Sequence, residues 1–152
     1  MRTATAKAGA TALVVAGALL LPAGAGASDR SLKSALATWS AHIRVDAQRI
    51  TNSAKLRHPA RMTSRSRKFQ SDAVRARRAL SAIHPSSSRG RRAQQLALAA
   101  FSNYARVGHE WQLSGRARVG HDKTAASAHA RRAAQYVARA NALLRQAGSL
   151  LR

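Results

Sequence analysis

Apolar residues in this chain recur at steps of three, four or seven, and strict alternation is absent, which confines it to amphipathic helices. Leu32, Leu36, Trp39, Ile43 and Ile50 share one helical face before Pro59, and Phe69, Ala73, Ala76, Leu80 and Ile83 share another before Pro85. A third stripe holds Ala93, Leu96, Ala100, Tyr104, Val107 and Trp111. A fourth holds Ala133, Tyr136, Ala140, Leu143, Ala147 and Leu150, close to the period of about 3.5 residues found in bundle seams. Breaks fall at His58-Pro59, at His84-Pro85 with the serines that follow, and around Gly120. Proline cannot continue a helix and disfavours helical geometry in the residue before it. The spacing therefore predicts helices over about 29–57, 60–83, 88–118 and 122–151. Short connections make neighbours antiparallel, so the expected fold is all-α, an up-down antiparallel four-helix bundle. Alanine at many seam positions allows close approach but thins the core, so modest stability is expected.

The first 27 residues read as a cleavable secretory signal. Arg2 and Lys7 begin it, an apolar run of 14 residues covers 8–21, and Pro22 leads to the small residues Ala25, Gly26 and Ala27. Spanning a bilayer takes roughly 20 helical residues, so the run is short for an anchor. Cleavage is expected after Ala27, although Ala25 meets the same small-residue rule. No twin arginine precedes the run, no cysteine exists for lipid attachment, and no second apolar span follows. A Sec-type route, release to a secreted or periplasmic location, and one mature domain over 28–152 are expected. Without cysteine, packing alone must hold that domain, and haem attachment of the Cys-x-x-Cys-His kind is excluded.

Lysine and arginine number 27 against five acidic residues, a formal charge of +22, and loss of residues 1–27 would leave +20. Only five of the 27 are lysine. GC-rich codon usage accounts for arginine in place of lysine, but it does not account for so few acids. Guanidinium forks suit phosphate and carboxylate groups.

Two of the acids fall within apolar stripes. Asp46 lies between Ile43 and Ile50, and Asp72 holds the matching place after Phe69. A carboxylate facing a core is costly unless paired, so structural ion pairs with arginines of neighbouring helices are the favoured account. The alternative is a carboxylate and histidine site for a metal or catalysis, built on Asp46, Asp72 and His42. Metal sites usually need three or four ligands, and no bundle or zinc-protease signature is present, so no metal, cofactor or catalytic residue is assigned. Gly120 is expected to end the third helix and Asp122 to cap the fourth, with His121 exposed between them. Trp39, Phe69, Tyr104, Trp111 and Tyr136 fall on seams, whereas Phe101 lies beside its stripe and is left unassigned.

The basic residues are grouped. Arg57, Arg61, Arg65, Arg67 and Lys68, with His58, run through the first turn into the second helix with no acid among them. An up-down bundle brings the third turn to the same end, adding Arg116, Arg118, His121 and Lys123. Arg89, Arg91 and Arg92 form a second cluster at the opposite end. Several of these cations stand in first turns, where the macrodipole disfavours positive charge by about 0.3–1 kcal/mol each. Helix N-termini lined by arginines suit anions. The expected function is non-enzymatic association with anionic polymers or surfaces of the cell envelope. Candidate partners are phosphate polymers, acidic glycans, anionic lipid surfaces and extracellular nucleic acid, with no integral span in the mature chain. A third class is a membrane-perturbing cationic protein.

Overall fold

The computed structural model describes residues 25–152, with side chains from residue 28 onward, so most of the expected signal segment lies outside the described residues. The described chain forms four helices and no strand: α1 Ala25–Lys55, α2 Pro59–Ser81, α3 Ser88–Val119 and α4 Lys123–Leu150. Their number and their bounds, to within a few residues, follow the stripes and breaks.

Contacts between helices fix their directions. Arg65 of α2 meets Arg49 and Ser53 of α1, whereas Asp29 near the start of α1 meets Ser86 and Ser87 beyond the end of α2. Gly108 and Gly115 of α3 lie against Gln70 and Thr63 of α2. Ser114 and Tyr104 of α3 bond Ala126 and Asn141 of α4. Each consecutive pair is therefore antiparallel.

Helix α3 is the central element and packs closely on both α2 and α4. Its buried set extends well beyond one stripe, to Ala97, Gly108, Gln112, Ser114 and Gly115, and Phe101 is fully buried. Against α4 the contact surface is made of Ala126, Ala133, Ala140 and Ala147, one every seventh residue and all buried. Small side chains bring α3 near enough for Val137 and Leu144 to join the core, while Leu143 of the expected stripe is not among the core residues. Against α2 the approach is closer still. A Cβ placed on Gly108 would lie 2.7 Å from the Cβ of Gln70 and 2.9 Å from its backbone, so only glycine fits there. By contrast α1 packs chiefly on α2, touches α3 lightly, and faces α4 across an open groove.

The two His-Pro pairs do different work. Pro59 opens α2 at its first position, where a missing N–H costs nothing, while Pro85 sits in the connection ahead of α3. Helices α1 and α3 end alike. The amide of His58 donates to Ser53 O (3.0 Å) and that of Arg57 to Ala54 O (3.2 Å); Asp122 donates to Ala117 O (2.8 Å) and His121 to Arg118 O (3.2 Å). This is the Schellman pattern, which needs a left-handed residue and usually takes glycine. Here that residue is Arg57 (φ 54°) in one turn and His121 (φ 59°) in the other. Gly120 caps α3 at φ −79°, so the left-handed position falls one residue later than the glycine.

Candidate functional site

The first and third turns lie side by side. Arg57, His58 and Pro59 from the one, and Arg118, His121 and Lys123 from the other, line a single hollow of about 500 Å³ floored by Ala54 and Met62. No carboxylate is among its lining residues. Asp122, next in the chain, is turned to its own helix, where Oδ1 accepts from the amide of Ala125 at 2.8 Å. His58 occupies the cap of α2 without a side-chain cap bond, and no acid stands in the first turn that follows. The free amides and partial positive charge of that helix start add to the cations around the hollow.

The other sequence-derived cations are distributed less simply. Arg61 and Arg116 are exposed beside the turns, outside the lining of the hollow. Arg65 is committed to the α1–α2 contact, donating from Nη1 to Arg49 O and to Ser53 Oγ, both at 2.7 Å. Arg67 lies farther along α2 in a surface hollow with Arg75 and Arg78.

Lys68 stands between the two stripe carboxylates. Its Nζ donates to Asp46 Oδ2 at 3.2 Å and makes a very short contact with Asp72 Oδ2. Arg49 adds 3.4 Å to Asp46 and Arg75 adds 3.7 Å to Asp72. The carboxylates are buried, with 6% and 10% of their side chains exposed. They are neutralised chiefly by a lysine reaching from α2 rather than by arginines of neighbouring helices. Burial pushes the Asp72 carboxyl up, but the hydrogen bond from Lys68 and the charges of Lys68 and Arg75 outweigh it and hold the group below its ordinary range. The hydrogen bond to Asp72 is the main cause that raises Lys68 above its own ordinary value. His42 is exposed and meets Trp39 edge-on at 5.6 Å. Among the described residues no group of three or more His, Asp or Glu side chains could hold a metal ion.

At the opposite end, Arg89 lines a hollow with Arg30, Lys33 and Asp29, Arg91 donates to Ser86 O at 3.0 Å, and Arg92 is exposed. Asp29 lies over the start of α3, accepting from Ser86 N at 3.1 Å and from Ser87 Oγ in a very short bond. The Ser87 bond is the chief cause that holds its carboxyl below the usual range. Ser87 in turn caps α3 by accepting from Gly90 N at 2.8 Å.

Sequence reasoning missed one further ionic group. Glu110 of α3 meets His129 Nδ1 of α4 at 2.7 Å and Arg132 Nε at 3.1 Å. Burial pushes the Glu110 carboxyl up, yet the bonds from His129 and Arg132 hold it below its ordinary value. His129 and Arg132 are three apart and so share a helical face, but only the register of α3 on α4 delivers Glu110 to them. All five acids of the chain are thus held: Asp29 at α3, Asp46 and Asp72 by Lys68, Glu110 by α4, and Asp122 at the start of α4. Among the described residues no helix is long and apolar enough to cross a membrane. Comparison of the chain with protein-family models, curated proteins and solved structures finds no match.

Proposed function

We propose that the protein is an exported, non-enzymatic protein that associates through its cationic pole with anionic polymers or surfaces of the cell envelope. The observation that carries this reading is the convergence of Arg57, His58, Arg118, His121 and Lys123 on one hollow that no acid lines. A chain selected only to fold would put Asp or Glu at such helix starts and glycine at the two left-handed positions. At the start of α2 and at the two left-handed positions basic residues stand instead, whereas α4 keeps an acid, Asp122, as its cap. Affinity would come from many phosphate or carboxylate contacts and the release of their counterions, so little sequence or sugar specificity is expected.

Titration with inorganic polyphosphate from about 50 to about 200 mM salt tests this directly. The reading expects tight binding at low salt and a log affinity that falls linearly with log salt. Weak binding at low salt, or affinity indifferent to salt, contradicts it. Export rests on the signal pattern over 1–27, and the mass of the secreted protein checks it. Cleavage after Ala27 would leave Asp29 in the first turn of α1, where the helix dipole favours a carboxylate.

A further inference from the structure

A second hollow, of about 600 Å³, opens between α1 and α4 and shares no lining residue with the one at the pole. Its aromatic residues are Phe69 of α2 with Tyr104 and Trp111 of α3. Phe69 meets Tyr104 edge-on at 6.0 Å and Trp111 at 5.3 Å, so the three rings hold one another in place. Ile43 of α1 and Val137 and Leu144 of α4 supply apolar flanks. The volume is that of a small-molecule site, and so is the composition, mostly apolar with a few polar groups.

The polar groups set the sign of the ligand. Arg44 and Arg145, from the two helices that face each other across the groove, both line it and are both exposed. Neither enters an ion pair among the described residues, and no acid lines the groove. The charge of Arg44 reaches inward as far as the Tyr104 hydroxyl: burial raises that group's pKa, and Arg44 opposes the rise. The hydroxyl itself is already bonded to Asn141 Oδ1 at 2.5 Å. A small inorganic anion would leave the rings unused, a neutral hydrocarbon would leave the two guanidinium groups unused, and a cationic amphiphile would be repelled.

We infer that this groove binds a single-chain amphipathic anion of the fatty-acid class, its chain against Trp111, Val137 and Leu144, which the buried Phe69 and Tyr104 back, and its carboxylate between Arg44 and Arg145. The site stands apart from the polyanion reading and does not depend on it. Trp111 reports on it, with Trp39→Phe removing the other indole. Titration of that variant with laurate, below its micelle concentration, should give a saturable fluorescence change at one ligand per chain. Arg44→Gln and Arg145→Gln should each weaken laurate roughly tenfold, because each removes a charge-assisted hydrogen bond from the head group. Hexanoate should bind far more weakly than laurate. Arg57→Gln, which alters the pole, should leave laurate affinity unchanged. A non-saturable response, equal affinity for dodecylammonium, or indifference to both arginine replacements would overturn the inference.

Discussion

The body of the bundle and its cationic pole handle charge in opposite ways. In the body, carboxylates are paired with cations or set against helix starts: Asp29 at the start of α3, Asp46 and Asp72 on Lys68, Glu110 on His129 and Arg132. At the pole the cations gather without a carboxylate, and two of the basic residues occupy left-handed backbone that glycine would take without strain. The body therefore owes part of its stability to its charges. At the pole the cost in stability lies in the left-handed backbone of Arg57 and His121, while Arg116 and Arg118 in the last turn of α3 stand where the helix dipole favours a cation.

Acid should separate the two regions most strongly. Asp29, Asp72 and Glu110 lie below their ordinary values when folded. Their contribution is full above the unfolded carboxylate range of about 3.9–4.3 and is lost as pH falls through the lower folded values. Urea unfolding at neutral pH and near pH 3 should show a clear drop in midpoint on acidification. Next in size is Lys68→Met, which leaves Asp46 and Asp72 together without their shared cation. A fully buried pair loses about 3–5 kcal/mol when one partner is removed. Lys68 is 59% exposed and so partly screened, which reduces the expected loss to about 1–3 kcal/mol by denaturant titration.

A smaller effect is expected where the two regions meet. Asp122→Ala removes the cap of α4 and should destabilise by about 1 kcal/mol. It also removes the acid nearest in sequence to Lys123, so polyphosphate affinity should rise slightly or hold. The smallest effects are the most diagnostic. Arg57→Gly and His121→Gly should each raise stability by about 0.5–1 kcal/mol, because the left-handed backbone is then unstrained. Arg57→Gly should at the same time weaken polyphosphate. If Arg57→Gly destabilises, the strain at the pole is not there to be relieved.

How far the fold could be read from the sequence varies by element. The stripe from Leu32 to Ile50 and the breaks at Pro59 and Pro85 were legible, because helical period and proline chemistry are local. The burial of Phe101 was not, since it depends on α3 packing on α2 and α4 together. Leu144 packs against the core where Leu143 was expected, because the alanine contact with α3 sets the rotation of α4. Gly108 is the point of closest approach to Gln70, a role set by the register of α3 on α2. At the pole, the grouping of Arg57, Arg118 and Lys123 was legible from the order of turns. The engagement of Lys68 and Arg65 was not, because it depends on helix register rather than on composition.

The central claim is that place, and not only net charge, governs anion binding. It is tested most directly by two charge-matched triple replacements, Arg57, Arg118 and Lys123 to Gln against Arg89, Arg91 and Arg92 to Gln, with polyphosphate affinity measured across salt. Each removes three positive charges. The account predicts that the first set makes the salt dependence shallower by about 2–3 in slope, at roughly 0.7–0.9 for each of three phosphates no longer neutralised, and weakens binding at least tenfold more than the second. Equal weakening by the two sets would show that the pole is only one part of a uniformly charged surface.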